Sequence, residues 1–265
     1  MSTPIPIPKH SPWKTQILVI RALFKREIAA RFGKYQLGFF WMLLEPLIGV
    51  IVIGLVIGPI VGRAVIGIPY GFFLLNSFLL LRLFTGTMNA GVSGISSDQG
   101  LLVYPTVKPI DPVLARFIYN LVTTLFSFVL FCIAAMWMGI TISLNSLHIL
   151  LITYLITWLT GCGFGFIFVV AAAHYNEVEK IVKFLQRPLL FLSAGFFPTY
   201  IMPTEVREIL FYNPLVHSVE LSRQALFPMY QVIGANLLYP SAFAVVVLSI
   251  GITYFRNNPN LISKL

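Results

Sequence analysis

Apolar positions in this chain run in long unbroken stretches and do not alternate with polar ones. A helix needs roughly 20 residues to cross about 30 Å of hydrocarbon. Six stretches reach that length, at 37–61, 70–92, 113–138, 147–173, 181–202 and 232–255. The first carries Glu45 as its lone charge, the second holds Arg82, and the fifth has Lys183 and Arg187 in its first turns. A lipid-facing barrel would need strict period-two alternation, which is absent. Helices satisfy their backbone groups within each segment, as hydrocarbon demands. The pattern predicts an all-α polytopic membrane protein with six transmembrane helices.

Two further segments do not span. Residues 13–32 place Trp13, Ile17, Ile20, Phe24, Ile28 and Phe32 at steps of three or four, with Lys14, Arg21, Lys25 and Arg31 off that stripe. This predicts an amphipathic helix in the plane of the inner interface, the alternative being a helix packed on a soluble partner. Residues 203–230 mix Glu205, Arg207, Glu208, Glu220 and Arg223 with Ile209, Leu210, Phe211, Leu215, Val216 and Leu226. Two short helices broken at Asn213-Pro214 fit this mixture, capping the bundle or dipping into the outer leaflet. An exposed loop is the alternative.

Composition sharpens the picture. Of 265 residues, 58% are hydrophobic and only 10% charged, against about 25% charged in a soluble chain. That excludes a soluble enzyme and a disordered chain alike. The net charge of +9 would suggest nucleic acid in a soluble protein. Here the basic residues lie between apolar runs and set orientation, so no nucleic-acid partner is expected. With both termini inside, the inner face gathers Lys9, Lys14, Arg21, Lys25, Arg26, Arg31, Lys34, Lys108, Arg116, Lys180, Lys183, Arg187, Arg256 and Lys264. The outer face keeps Arg63, Arg207 and Arg223. Residues 1–34 then form a cytosolic N-terminus, 35–256 the membrane domain and 257–265 a cytosolic tail. The Pro-rich, polar start lacks the early apolar run of a cleavable signal peptide. Cys132 and Cys162 lie in apolar runs and read as packing residues.

Candidate chemistry is sparse. No phosphate-binding loop, H-E-x-x-H or G-x-S-x-G motif occurs, so no catalytic residue is assigned. Gly161-x-Gly163-x-Gly165 reads as one small-residue helix surface, and Gly54, Gly58 and Gly62 as G-x-x-x-G steps for close helix approach. His217-x-x-Glu220 has ligand spacing, but a polar face of a capping helix explains it better, and no metal is expected. Glu45 and Arg82 lie about 12 and 15 Å from the inner ends of neighbouring antiparallel spans. They could pair or line one polar cavity, with snorkelling as the alternative for Glu45. In the inner loop 94–112, Ser96-x-x-Gln99 has capping-box spacing with Asp98 in the first turn. This predicts a short helix that either transmits force or merely connects. Tyr35 and Phe39 are aromatics able to anchor at an interface or stack on sugar.

Several of these segments resemble a known family. The run from Leu37 to Leu47, LGFFWMLLEPL, is similar to the first-span signature of type-2 ABC exporter permeases. The region from Asn89 to Pro112, with Asp98-Gln99-Gly100-Leu101-Leu102 and Val107-Lys108-Pro109-Ile110-Asp111, resembles their coupling region. The run from Asn213 to Arg223, NPLVHSVELSR, resembles the segment before their last span. The likeness covers nearly the whole chain and is strongest to the capsular polysaccharide export branch, with O-antigen and teichoic-acid permeases next.

The resemblance implies a homodimer in the bacterial inner membrane with two soluble ATPase subunits beneath. It implies an N-terminal interface helix, a cytosolic coupling helix and re-entrant outer helices before the last span. ATP and Mg would be bound by the partner ATPase, with no cofactor on this chain. The cargo would be lipid-linked polysaccharide, passed to a periplasmic adaptor and an outer-membrane channel. Ser96, Ser97, Asp98, Gln99, Leu101 and Leu102 would couple to the ATPase. Asn213, Pro214, His217, Glu220 and Arg223 would form an outer gate. Arg31, Lys34, Tyr35, Phe39, Glu45 and Arg82 are candidate substrate-path residues. Arg31 and Lys34 would attract a phosphate-bearing lipid head, or only generic anionic lipid, and Arg82 rests on membrane physics alone. Two other classes compete: a membrane-embedded glycolipid transferase, disfavoured because the nine acids are scattered, and a self-sufficient channel or carrier, which would show paired broken helices.

Overall fold

The computed structural model describes residues 12–32, 38–62, 68–93, 100, 106–143, 146–175 and 177–258. The six ATPase-coupling candidates, Lys34 and Tyr35 lie outside the described residues, as do the side chains of Arg31, Phe39 and Glu45. Every regular element described is helical: α1 (Pro12–Phe32), α2 (Gly38–Val61), α3 (Tyr70–Val92), α4 (Ile110–Trp137), α5 (Leu147–His174), α6 (Val178–Leu192), a 3-10 turn (Thr199–Ile201), α7 (Thr204–Phe211), α8 (Pro214–Leu226) and α9 (Leu238–Arg256). Among them α3, α4, α5 and α9 are long and apolar enough to cross a membrane, and α2 carries the shorter apolar run Leu47–Val61.

The bundle is built around α5, which packs on α3 at one side and α9 at the other. Helix α3 also receives α2, α4, α6 and α8, while α1 rests on α4. Phe73, Leu80 and Leu83 of α3 are wholly buried. A second core of Val113, Phe117, Phe166, Val170 and Phe255 joins α4, α5 and α9. Outward-facing positions are apolar: Leu55 and Ile60 of α2, Val129 and Ile133 of α4, and Val245 and Ile250 of α9 are exposed. A soluble protein would place polar groups there.

Glycine sets the spacing at the centre. Two residues along a helix are about 200° of rotation, so Gly161-x-Gly163-x-Gly165 is not the single surface expected from the sequence. Gly161 and Gly165 face α3 and its Gly91, whereas Gly163 faces α9 and its Gly251. A methyl group at Gly163 would sit 2.7 Å from the backbone nitrogen of Leu248. Between helices in lipid, such backbone approach replaces the hydrophobic drive that water supplies. Gly58 and Gly62 similarly admit the ring of Tyr70.

Two expected helix bounds need correction. The stretch 181–202 is not one spanning helix. Helix α6 has 15 residues, about 22 Å, and ends in a turn where Gly195 N–H donates to Leu190 O and Ala194 N–H to Phe191 O, at 3.0 and 3.2 Å. This pair of bonds is a Schellman motif. Ala194 takes the left-handed position at φ 52°, where glycine is usual. The last helix begins at Leu238, not 232. Gly234 has φ +88°, and Asn236 Oδ1 accepts from Tyr239 N–H at 3.0 Å. In α1 Leu23 and Glu27 are buried, while Trp13 and Ile17 of the predicted stripe stand exposed. The helix packs on the chain's own α4.

The glycine contacts yield a direct test. Gly163→Ala should destabilise the solubilised protein by about 1–3 kcal/mol, because backbone on both sides cannot yield to the added methyl. Gly71→Ala, where nothing lies within 4 Å, should leave the protein unchanged or slightly stabilised. Thermal unfolding in detergent, followed by tryptophan fluorescence, measures both.

Candidate functional site

The outer segment holds the densest polar cluster. Asn213 caps α8, its Oδ1 accepting from Leu215 N–H at 3.0 Å, and Pro214 takes the first helical position, where its missing N–H costs nothing. The Asn213 amide also donates to Leu192 O and Ser193 Oγ at the end of α6. One helical turn beyond His217, Glu220 and Arg223 pair at 2.7 Å with both side chains fully buried. Arg223 Nε and Nη2 donate to Ser77 Oγ of α3, and Nη2 also donates to the carbonyls of Ala194 and Gly195. The guanidinium lies 3.8 Å from the centroid of the Phe73 ring. Glu220 accepts from Thr199 Oγ1 at 2.8 Å and from the Tyr230 hydroxyl at 2.9 Å.

Arg223 therefore binds carbonyls of the turn that follows α6, on the side of the negative end of the helix dipole. Its charge and that of Glu220 cancel inside the protein, so Arg223 is not a free outer charge. Ser77, Thr199 and Tyr230, which complete the cluster, come from three other segments. The Asn76-Ser77 dyad inside an apolar span is the sequence signal that points to them, and Asn76 Nδ2 donates to Ser222 Oγ at 2.9 Å.

His217 belongs to a neighbouring arrangement. Its Nε2 lies 2.9 Å from Phe211 O, and its Nδ1 accepts from Asn236 N–H at 3.1 Å. Both ring nitrogens are engaged by backbone, so the His217-x-x-Glu220 spacing does not converge on a metal. Burial pushes the imidazole pKa below the usual 6.5. Its neutral form donates from Nε2 and accepts at Nδ1.

Arg82 is half-buried on the seam between α3 and α6. It lines a groove of about 210 Å³ with Phe78, Thr85, Gln186 and Leu190. Below it Asn89 and Gln186 exchange two amide hydrogen bonds, at 2.9 and 2.7 Å, tying α3 to α6. A larger apolar groove of about 560 Å³ lies among α2, α3 and α4, bounded by Leu47, Phe72, Leu79, Phe131 and Met138.

The inner ends of the helices carry a third cluster. Arg116 of α4 donates from Nη1 to Ser93 O and Oγ at 3.0 and 3.2 Å. Its Nε lies 3.5 Å from Glu27 Oε2 of α1. Asp111 accepts from Lys108 N–H at 2.8 Å and from the Gln16 amide. Counting Arg116 only as an orienting charge misses this. Glu27, an acid within a basic helix, is the signal for a buried counter-charge.

Two outcomes follow for the outer cluster. Arg223→Met strands a buried carboxylate and should cost about 3–5 kcal/mol, while Glu220→Gln/Arg223→Met should cost clearly less than the two single changes summed. A double-mutant cycle in detergent measures the coupling. For His217, the folded-state pKa lies below the unfolded one, so the unfolded chain takes up the proton first. Stability is complete above pH 6.5 and falls as the pH drops below it. Melting temperatures across that range should show this fall in the wild type and a flatter profile in His217→Gln.

Comparison with known proteins fits this architecture. Residues 19–227 match the ABC-2 type transporter family. The chain is 34% identical over 247 residues to the polysialic acid transport protein KpsM of Escherichia coli, covering 93% of this chain and 96% of KpsM. It is 26% identical to the capsule polysaccharide export inner-membrane protein CtrC of Neisseria meningitidis serogroup B, over 92% of this chain and 93% of CtrC. To the capsule polysaccharide export inner-membrane protein BexB of Haemophilus influenzae it is 23% identical over 90% of each chain. On the family match and the end-to-end identity to KpsM, the chain belongs to the ABC-2 type transporter family.

Proposed function

We propose that this chain is the membrane-spanning permease subunit of an ATP-driven exporter that moves lipid-linked capsular polysaccharide across the inner membrane. The observation that carries this reading is the similarity, over nine-tenths of the chain or more, to proteins named for polysialic acid transport and capsule polysaccharide export. The apolar outer surface and the long helices support a membrane subunit.

In this reading two copies form the conduit, each with six membrane passages and both termini in the cytoplasm. Helix α6 with the turn after it serves as the fifth passage, and α7 and α8 lie re-entrant at the outer side. Exposed Trp13 and Ile17 let α1 rest against lipid while its other face holds α4. Two soluble ATPase subunits bind ATP and Mg and push on the inner loop 94–112. The exported polymer passes to a periplasmic adaptor and an outer-membrane channel. Arg82 lines the path: an arginine within a span usually faces protein or water, and its groove adds Thr85 and Gln186 as hydrogen-bonding groups.

Affinity purification from native membranes should return a soluble ATPase in one-to-one ratio with this chain. Vesicles holding that complex should move polysaccharide only when ATP is supplied, and Arg82→Leu should lower export at normal protein level. Export by the permease without any nucleotide would overturn the reading. Unchanged export in Arg82→Leu would remove that residue from the path.

A further inference from the structure

One continuous run of polar contacts joins the adjoining ends of α3 and α4 to α1 and to the middle of α6. It starts at Glu27 of α1, passes to Arg116 of α4 and then to Ser93 at the end of α3. The Ser93 hydroxyl donates to Asn89 O at 3.1 Å, and the Asn89 amide pairs with Gln186 of α6. Arg116 is the branch point. Ser93 immediately precedes the loop 94–109, and α4 begins at Ile110, directly after it. Arg116 lies six residues into α4, about 9 Å along the helix, and reaches back to hold the residue before the loop. At the far end Lys108 N–H and the Gln16 amide of α1 both bind Asp111. Helix α1 therefore touches the loop's exit at Gln16 and, through Glu27 and Arg116, its entry.

Arg116 and Glu27 are each only 8% exposed. Burying a charged pair where a lysine or arginine could reach water is costly unless both partners are held in place. Orientation of the chain needs only positive charge on the inner side. It does not need a guanidinium that binds a carboxylate on one helix and a carbonyl and hydroxyl on another. Lysine, a point charge, cannot do both at once.

We propose, resting on the exporter reading above, that Arg116 is the positioning residue that makes α1, both ends of the inner loop and α3 move as one body. A push on the loop then reaches α1 and, through Asn89 and Gln186, α6, and is not absorbed by hinging at the loop's ends. Arg116 touches neither nucleotide nor polymer. Its loss separates ATP use from transport and leaves ATP use intact.

The test uses the complex with its ATPase in vesicles, measuring phosphate released and polysaccharide moved in the same preparation. Arg116→Met should assemble, hydrolyse ATP within about twofold of wild type, and move about tenfold less polymer per ATP. Glu27→Gln, which keeps the bonds to Ser93, should show a smaller loss of the same kind. Arg116→Lys should recover part of the ratio. If Arg116→Met fails to assemble, Glu27→Gln and Arg116→Lys carry the measurement. An unchanged ratio of polymer to ATP in the variants that assemble overturns the proposal, as does a parallel fall of hydrolysis and export. A wild-type complex that hydrolyses ATP and moves no polysaccharide overturns the exporter reading itself, and this proposal with it.

Discussion

Backbone contact through glycine is the constraint on which this architecture depends. Helices in hydrocarbon gain little from hiding apolar side chains, since lipid is as apolar as leucine. What they gain is dispersion, which falls steeply with even a small gap. Gly91 and Gly165 bring α3 against α5, and Gly163 and Gly251 bring α5 against α9. The result is a stack of three helices whose spacing no side chain can widen. Trp158 of α5 adds a directional bond, its Nε1 donating to Phe117 O of α4 at 2.9 Å. Helices α1, α2 and α6 attach to this stack from outside, α1 through α4 and α2 largely through α3.

Polar groups inside such a bundle must find partners within the protein. The outer cluster meets that demand by closing on itself: a guanidinium, a carboxylate, two hydroxyl donors and carbonyls of the turn after α6 satisfy one another. A buried ion pair of this kind adds little net stability over an apolar replacement, but losing one partner is severe. Its effect is specificity of geometry. It fixes where α6 stops and how the chain turns at Ala194, whose left-handed backbone is unfavourable for any residue with a Cβ. The inner cluster is more open, a line of contacts and not a closed cage. It crosses from helix to helix through one arginine N–H shared by the carbonyl and hydroxyl of Ser93 and through a reciprocal pair at Asn89.

Length and hydropathy made α3 and α5 legible within a residue or two, because each is an apolar run bounded by polar turns. The break at Asn213-Pro214 was legible for a local reason too: asparagine accepts from the N–H two residues on, and proline cannot continue a preceding helix. What escaped sequence reading was set by partners elsewhere in the chain. The stretch 181–202 is apolar enough to span, yet Arg223 and Asn213 draw its carbonyls into a turn at Ser193–Gly195. In α1, Glu27 turns inward because it finds Arg116, and a hydropathy stripe treats glutamate as outward-facing. Glu220 and Arg223 were readable as a pair from their spacing of three, but not as buried, since Ser77, Thr199 and Tyr230 lie far away in sequence. The Arg82 groove draws Gln186 from a helix whose own pattern does not announce it.

These pieces set an asymmetry in α6. Its middle is held to α3 by two amide hydrogen bonds between Asn89 and Gln186, worth about 0.5–1.5 kcal/mol each. Neutral amides of this kind can exchange protein partners for water at small cost. Its outer end is held by Arg223, which cannot leave the Ala194 and Gly195 carbonyls without exposing a buried charge network to whatever replaces them. Separation of α6 from α3 is therefore cheaper at Gln186 than at the turn that follows Leu192.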